Sequence, residues 1–206
     1  MKNKQTGSEK AFEGAELGKT IEEIVEELKV LEKKQDEALS ASRQIIRDCA
    51  NAIKHLHTGE LAQARKAAKE LETKIMELKG KVGGEFSGIT HPIYQEYTEI
   101  MALLAVHERK HLPTYRQLGV PAVSYLNGLA DAVGELRRAL QIALKNGDEK
   151  AAEYFYEKMN EIYENLMLVK FSSSIVRELK RKQDVARQQL EQARSELLRA
   201  IGSRSK

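Results

Sequence analysis

The sequence predicts an all-α fold: one domain, a helical bundle of about six to seven long antiparallel helices. Three observations carry this. Apolar residues recur at three- and four-residue spacing along nearly the whole chain, and no stretch alternates as a strand would. Leu, Ala, Glu, Lys and Arg are abundant while aromatics make up only 5%, a mixture that favours helix over sheet. The breaks between periodic segments are short, so successive helices pack mostly as antiparallel neighbours. At 206 residues the chain can bury a sizeable core.

Residues 1–18 are polar and read as a flexible N-terminal segment, with the helical domain spanning 19–202. Thr20 and Glu23 fit a capping box. Ile21, Ile24, Val25, Leu28, Leu31, Ala38, Ile45, Cys49, Ile53 and Leu56 then mark one long amphipathic helix, ending near His57-Thr58-Gly59. A second helix runs from Glu60 to Leu78, with Ala64, Ala68, Leu71 and Ile75 facing inward. A glycine-rich break, KGKVGGEFSG, follows. Pro92 suits the first turn of a third helix, where its missing N–H costs nothing, and Pro113 ends that helix after Leu112. A fourth helix spans about 122–145 and closes at Asn146-Gly147. Asp148 caps a fifth, through Val169. Ser172 to Ser174 open a sixth, reaching about Ile201. Its seam of Val176, Leu179, Ala186, Leu190, Ala193 and Leu197 suits packing against another helix, including one in a second subunit.

The net charge of +3 is too mild to imply a partner, so any nucleic-acid site must come from local clustering. Cys49 is the single cysteine, which excludes an internal disulfide and makes a reducing, cytoplasmic setting the expectation. The N-terminus has no apolar core of a secretory signal, and no apolar run has the length of a membrane span. Gly18-Lys19-Thr20 resembles the end of a phosphate-binding loop, but Glu13 stands where that loop needs glycine and no strand precedes it.

Two acidic pairs carry the chemistry. Glu96 and Glu99 are three apart and share a helix face, as do Asp131 and Glu135, four apart on the next long helix. Like charges at that spacing repel, and two such pairs converging would hold a divalent cation. Ligands that are all oxygen suit Mg²⁺ or Mn²⁺. A solvated helix face paired to Arg138 is the alternative reading. Basic residues cluster at Arg43, Arg47 and Lys54, and again at Arg177, Lys180, Arg181, Lys182 and Arg187; either set could meet phosphates. Arg137, Arg138 and His91, just ahead of the first acidic pair, are further candidate RNA contacts. The segment His107-Glu108-Arg109-Lys110-His111 matches the zinc-peptidase pattern His-Glu-x-x-His. Its two middle cations oppose zinc binding and resist burial, and Pro113 ends the helix, which argues against a peptidase. Glu108-x-x-His111 also matches half of a di-iron signature, which needs a second copy that the sequence lacks.

The segments Gln95-Glu96-Tyr97-Thr98-Glu99 and Tyr125-Leu126-Asn127-Gly128-Leu129-Ala130-Asp131-Ala132-Val133-Gly134-Glu135-Leu136 resemble the translin superfamily, on its Trax-like branch. The order of helices fits from about Ile21 to the C-terminus. The resemblance implies the translin fold and a metal-dependent endoribonuclease, using Mg²⁺ or Mn²⁺, that binds RNA inside a hollow octameric shell. It implies catalytic and metal-binding roles for Glu96, Glu99 and Asp131, with Glu135 beside them. Translin itself lacks the first acidic pair, so retention of both glutamates places this sequence on the Trax-like side. The chain is shorter than eukaryotic Trax and has no basic import cluster at its N-terminus, which resembles a compact archaeal member building a homo-oligomer. The competing expectation is a translin-like shell that binds single-stranded RNA or DNA without cutting it.

Overall fold

The computed structural model describes residues 5–82 and 86–204. Among the described residues eight helices follow one another: α1 (Gln5–His57), α2 (Leu61–Lys81), α3 (Ser87–His107), α4 (Tyr115–Leu118), α5 (Ala122–Lys145), α6 (Glu149–Leu166), α7 (Ser173–Val176) and α8 (Leu179–Arg204). Six are long and two are single turns, and no strand occurs among the described residues.

The core forms where apolar stripes meet. Cys49, Ala52 and Leu56 of α1, Ile100 and Leu103 of α3, Val133, Leu136 and Leu140 of α5, Met159 of α6 and Leu179 of α8 are all at most 2% exposed. Removing such side chains from water is the main force holding the bundle together. Helix α5 is the hub, packing on α3, α6 and α8, while α1 packs on α2 and α3.

Antiparallel pairing holds across the tight turns, α1 to α2 at Gly59 and α5 to α6 at Gly147, both glycines adopting positive φ. The longer links do something else. Residues 108–121 carry the chain back along the bundle, so α3 and α5 run in the same direction. Helix α6 then returns the chain, and residues 167–178 turn it at that end into α8, which Gln183 ties to the Leu166 carbonyl, so α8 runs with α3 and α5. The side-chain pairs step forward together: His91 with Ser124, Gln95 with Asp131, then Asp131 with Lys182 and Arg137 with Gln189.

Helix boundaries depart from the sequence expectation in several places, among them the ends of α3 at His107 rather than Leu112 and of α6 at Leu166 rather than Val169. Helix α1 starts at Gln5, so residues from Gln5 onward continue the long helix, and Thr20 lies inside it. The Thr20 hydroxyl therefore donates to the Glu16 carbonyl one turn back and caps nothing. Helix α3 starts at Ser87, which puts Pro92 inside the helix. The unforeseen turn α4 has its own signals, a capping box between Thr114 and Gln117 and a left-handed Gly119 at its end. The expected sixth helix is broken at Arg177, whose φ of 56° ends α7.

The zinc motif fails on backbone grounds. Helix α3 ends at His107, and Arg109 has a φ of 57°, so the two histidines share no helical face. Arg109 lies over the Tyr154 ring at 3.4 Å, and Glu108 pairs with Arg65 and Lys110. His107 packs against Phe155, and burial pushes its imidazole down to about 4.

Candidate active site

The site begins with a glycine. A Cβ at position 128 would lie 2.4 Å from the Gln95 carbonyl oxygen and 2.7 Å from the Thr98 Cβ. Only glycine lets α3 and α5 approach this closely. Thr98 assists by turning its hydroxyl inward, donating to the Tyr94 carbonyl at 2.7 Å. Just beyond this contact the two helices carry their acids, Glu96 and Glu99 on α3, Asp131 and Glu135 on α5.

All four carboxylates line one cleft of about 530 Å³, together with Lys182 and Gln189 of α8. The structure thus brings together the two acidic pairs that the sequence singles out. Glu99 is 7% exposed. Burial, reinforced by the charges of Glu96, Asp131 and Glu135 and opposed by Lys182, pushes its carboxyl up to about 9. Glu96 is raised by burial and by Asp131. Asp131 is also raised by burial, although Lys182 and Gln95 act against this. Glu135 goes the other way, because its hydrogen bond to His57 favours the carboxylate.

Two partners hold the α5 acids. Asp131 Oδ2 accepts from Lys182 Nζ at 2.6 Å and from Gln95 Nε2 at 2.8 Å. Glu135 Oε2 lies 2.5 Å from His57 Nε2, and the His57 side chain is 6% exposed. A carboxylate only accepts, so His57 donates from Nε2. Among the described residues no three His, Cys, Asp or Glu side chains already stand at metal-ligand spacing. The donor set nevertheless fits a hard divalent cation: the four acids offer only oxygen, and their mutual repulsion is what such a charge relieves.

The remaining expected residues are spread more widely. Arg43, Arg47 and Lys54 are exposed on α1, roughly a quarter-turn around the helix from Ile53, which lines the acidic cleft. Arg47 donates to Gln44 at 2.8 Å. Arg138 sits at the rim, 3.9 Å from Glu135 and largely exposed. His91 is half-buried, with Nδ1 2.7 Å from the Ser124 hydroxyl, and burial followed by the charges of Arg177 and Lys182 lowers its pKa. Arg137 differs from expectation: its guanidinium bridges α5 to Glu196 and Gln189 of α8, which commits it to the helix interface rather than to a phosphate. Asn127, one turn before Asp131 on α5, is fully buried and tethers the end of α7 by donating to the Val176 carbonyl.

Sequence reasoning missed His57 and undervalued Lys182. Both had a signal. Lys182 lies three residues after Leu179 and four before Ala186, a seam position that should be apolar. His57 lies four after Ile53, on the same face.

Comparison with known proteins identifies the family and the fold. The translin family model matches residues 18–195. An uncharacterized protein of Methanocaldococcus jannaschii, MJ0175, is 31% identical over 81% of this chain and 76% of its own. Two solved structures superpose closely. AfC3PO in complex with duplex RNA has a TM-score of 0.81 at 31% identity, over 91% of this chain and 99% of that one. The crystal structure of apo-NeC3PO, at 21% identity, shares the fold with a TM-score of 0.80 over 87% and 96% of the two chains. By the extent of the family match and the identity to these relatives, the chain belongs to the translin family.

Proposed function

We propose that this protein is a Trax-like, metal-dependent endoribonuclease that encloses RNA within a shell, octameric in this reading, built from copies of itself. One observation carries the chemistry: four carboxylates from α3 and α5 face one cleft against a single buried ammonium. The likeness to a C3PO solved with duplex RNA supports RNA as the substrate. The working domain in this reading is residues 19–202, with a cytoplasmic setting suggested by the one buried cysteine, Cys49. No helix among the described residues is long and apolar enough to cross a membrane.

Glu96, Glu99 and Asp131 are the proposed ligands for Mg²⁺ or Mn²⁺, with Glu135 completing the set. Bound there, the cation would supply Lewis-acid stabilisation of the phosphodiester and lower the pKa of an attacking water. The chain's own groups prepare that position. Gln95 fixes the Asp131 carboxylate, and His57 keeps Glu135 ionised and oriented. The close α3–α5 contact at Gly128 sets the distance between the two acidic pairs. Arg43, Arg47, Lys54, Arg138 and His91 are the proposed backbone contacts.

The test is a labelled RNA incubated with the protein in Mg²⁺ and in EDTA. Cleavage in Mg²⁺ alone is expected. Glu96→Gln with Glu99→Gln should abolish it while RNA binding persists. The rival reading, a shell that binds single-stranded RNA or DNA without cutting, is favoured by the engagement of Asp131 and Glu135 with Lys182 and His57. Salt-sensitive binding without metal-dependent cleavage would establish it.

A further inference from the structure

Lys182 is 8% exposed as a residue, a rare placement for a lysine and one that needs a partner. Its partner, Asp131 Oδ2, is already shared with the Gln95 amide. Two donors fill the two lone pairs of that oxygen. A divalent cation bound through this oxygen must therefore displace one of them, and one bound through Oδ1 still brings a second positive charge against the Lys182 ammonium. Gln95 is neutral and can remain. Lys182 carries a like charge and is repelled.

We infer that Lys182 is a phosphate-contacting residue held in reserve: its ammonium neutralises Asp131 in the metal-free protein, and on cation binding it leaves Asp131 and meets the RNA backbone. The inference rests on the acids being a cation site. The geometry supports the second position as well as the first. The Lys182 Cα is anchored between Leu179 and Ala186, which are at most 1% exposed, so only the flexible four-carbon stem can move. Lys182 lines the same cleft as the acids, so its displaced ammonium stays where a phosphate beside them would lie. The neighbouring Arg181, 73% exposed and paired with Glu178, marks the solvent side of that route.

Two experiments on the full chain test this. The first titrates Mn²⁺ into metal-free protein by calorimetry, without RNA. Lys182→Met should bind Mn²⁺ at least about tenfold more tightly, because a competing cation is gone, and Lys182→Arg should stay near the unaltered protein. Affinity for a cleavage-resistant 2′-O-methyl RNA is then followed against salt. With Mn²⁺ the Lys182→Met slope should be shallower by roughly 0.7–0.9, the contribution of one lost phosphate contact; in EDTA the two slopes should coincide. The second experiment needs no variant: acetylation of Lys182 by an amine-reactive ester, read by mass spectrometry, should be slow in EDTA and several-fold faster in Mn²⁺. If the unaltered protein takes up no Mn²⁺, the cation-site reading itself falls. If it takes up Mn²⁺ but Lys182 labelling does not change and the slopes coincide in both conditions, Lys182 is a structural ion pair. If the slope differs equally with and without Mn²⁺, Lys182 meets phosphate whether or not the cation is bound. Either result overturns the inference.

Discussion

Replacing Gly128 by alanine tests whether the spacing of α3 and α5 sets the site. The new Cβ would start 2.4 Å from the Gln95 carbonyl oxygen and 2.7 Å from the Thr98 Cβ. Neither is a flexible side-chain tip, since one is backbone and the other a Cβ on a buried helix. A relaxed contact needs about 3.5 Å, so the helices must separate by roughly 1 Å. Overpacking of this kind costs about 1–3 kcal/mol. Alanine returns about 0.5–1 kcal/mol through its better helix propensity. The net loss is about 0–2.5 kcal/mol, a fall in melting temperature of up to roughly 10 °C for a chain of this size. Activity should suffer more. Asp131 lies within one turn of Gly128 and faces Gln95, so the acidic pairs separate with the helices. A displacement near 1 Å costs about 100-fold in rate where geometry is critical. Gly134→Ala is the matched control, because a Cβ there meets nothing within 4 Å, and it should be neutral or slightly stabilising. The assay pairs thermal melting with Mg²⁺-dependent cleavage of labelled RNA. Full cleavage by Gly128→Ala would refute the claim that this contact positions the acids, whatever its melting temperature.

Other outcomes follow from the same geometry. Glu99 has a folded pKa of about 9 against an ordinary 4.5, so the folded protein holds a proton that the unfolded chain releases between those values. Metal-free protein should therefore lose stability as pH rises through that window, and Glu99→Gln should flatten the trend; melting curves in EDTA across pH 5.5–8.5 would show it. Added Mg²⁺ or Mn²⁺ should raise the melting temperature, most strongly at the alkaline end, and a shift independent of pH would contradict the coupling. Cys49 is fully buried and its thiol is pushed up by burial and by the nearby Glu96, so thiol reagents should label it only on unfolding. Asp148 caps α6 by accepting from the Ala151 N–H at 2.9 Å. Asp148→Ala should cost about 1 kcal/mol in thermal or urea unfolding and leave cleavage unchanged.

Much of the fold was legible because helices announce themselves locally. The three-four spacing of Leu71, Ile75 and Leu78, or of Val133, Leu136 and Leu140, requires one buried stripe wherever the chain goes. Terminators such as Asn146-Gly147 act through their own dihedrals, so they too are written in the sequence. The acidic pairs were visible for the same reason, since residues three or four apart share a face before any tertiary contact forms. What lay outside that reach depended on distant pairing. The seven residues from Asn127 to Val133 cannot by themselves say that Asn127 is buried as a tether while Asp131 opens on a cleft; α7 and α8 decide that by where they pack. Arg137 could not be told from Arg138 until Glu196 arrived from α8 to claim it. His57, the last residue of a long helix, becomes the partner of Glu135 only because α1 and α5 meet there. The sequence alone therefore determined the helices, their buried stripes and the acids on each face. The tertiary structure decided which charges meet, because carboxylates, imidazole and ammonium acquire their pKa values and partners from groups far away in the chain and close in space.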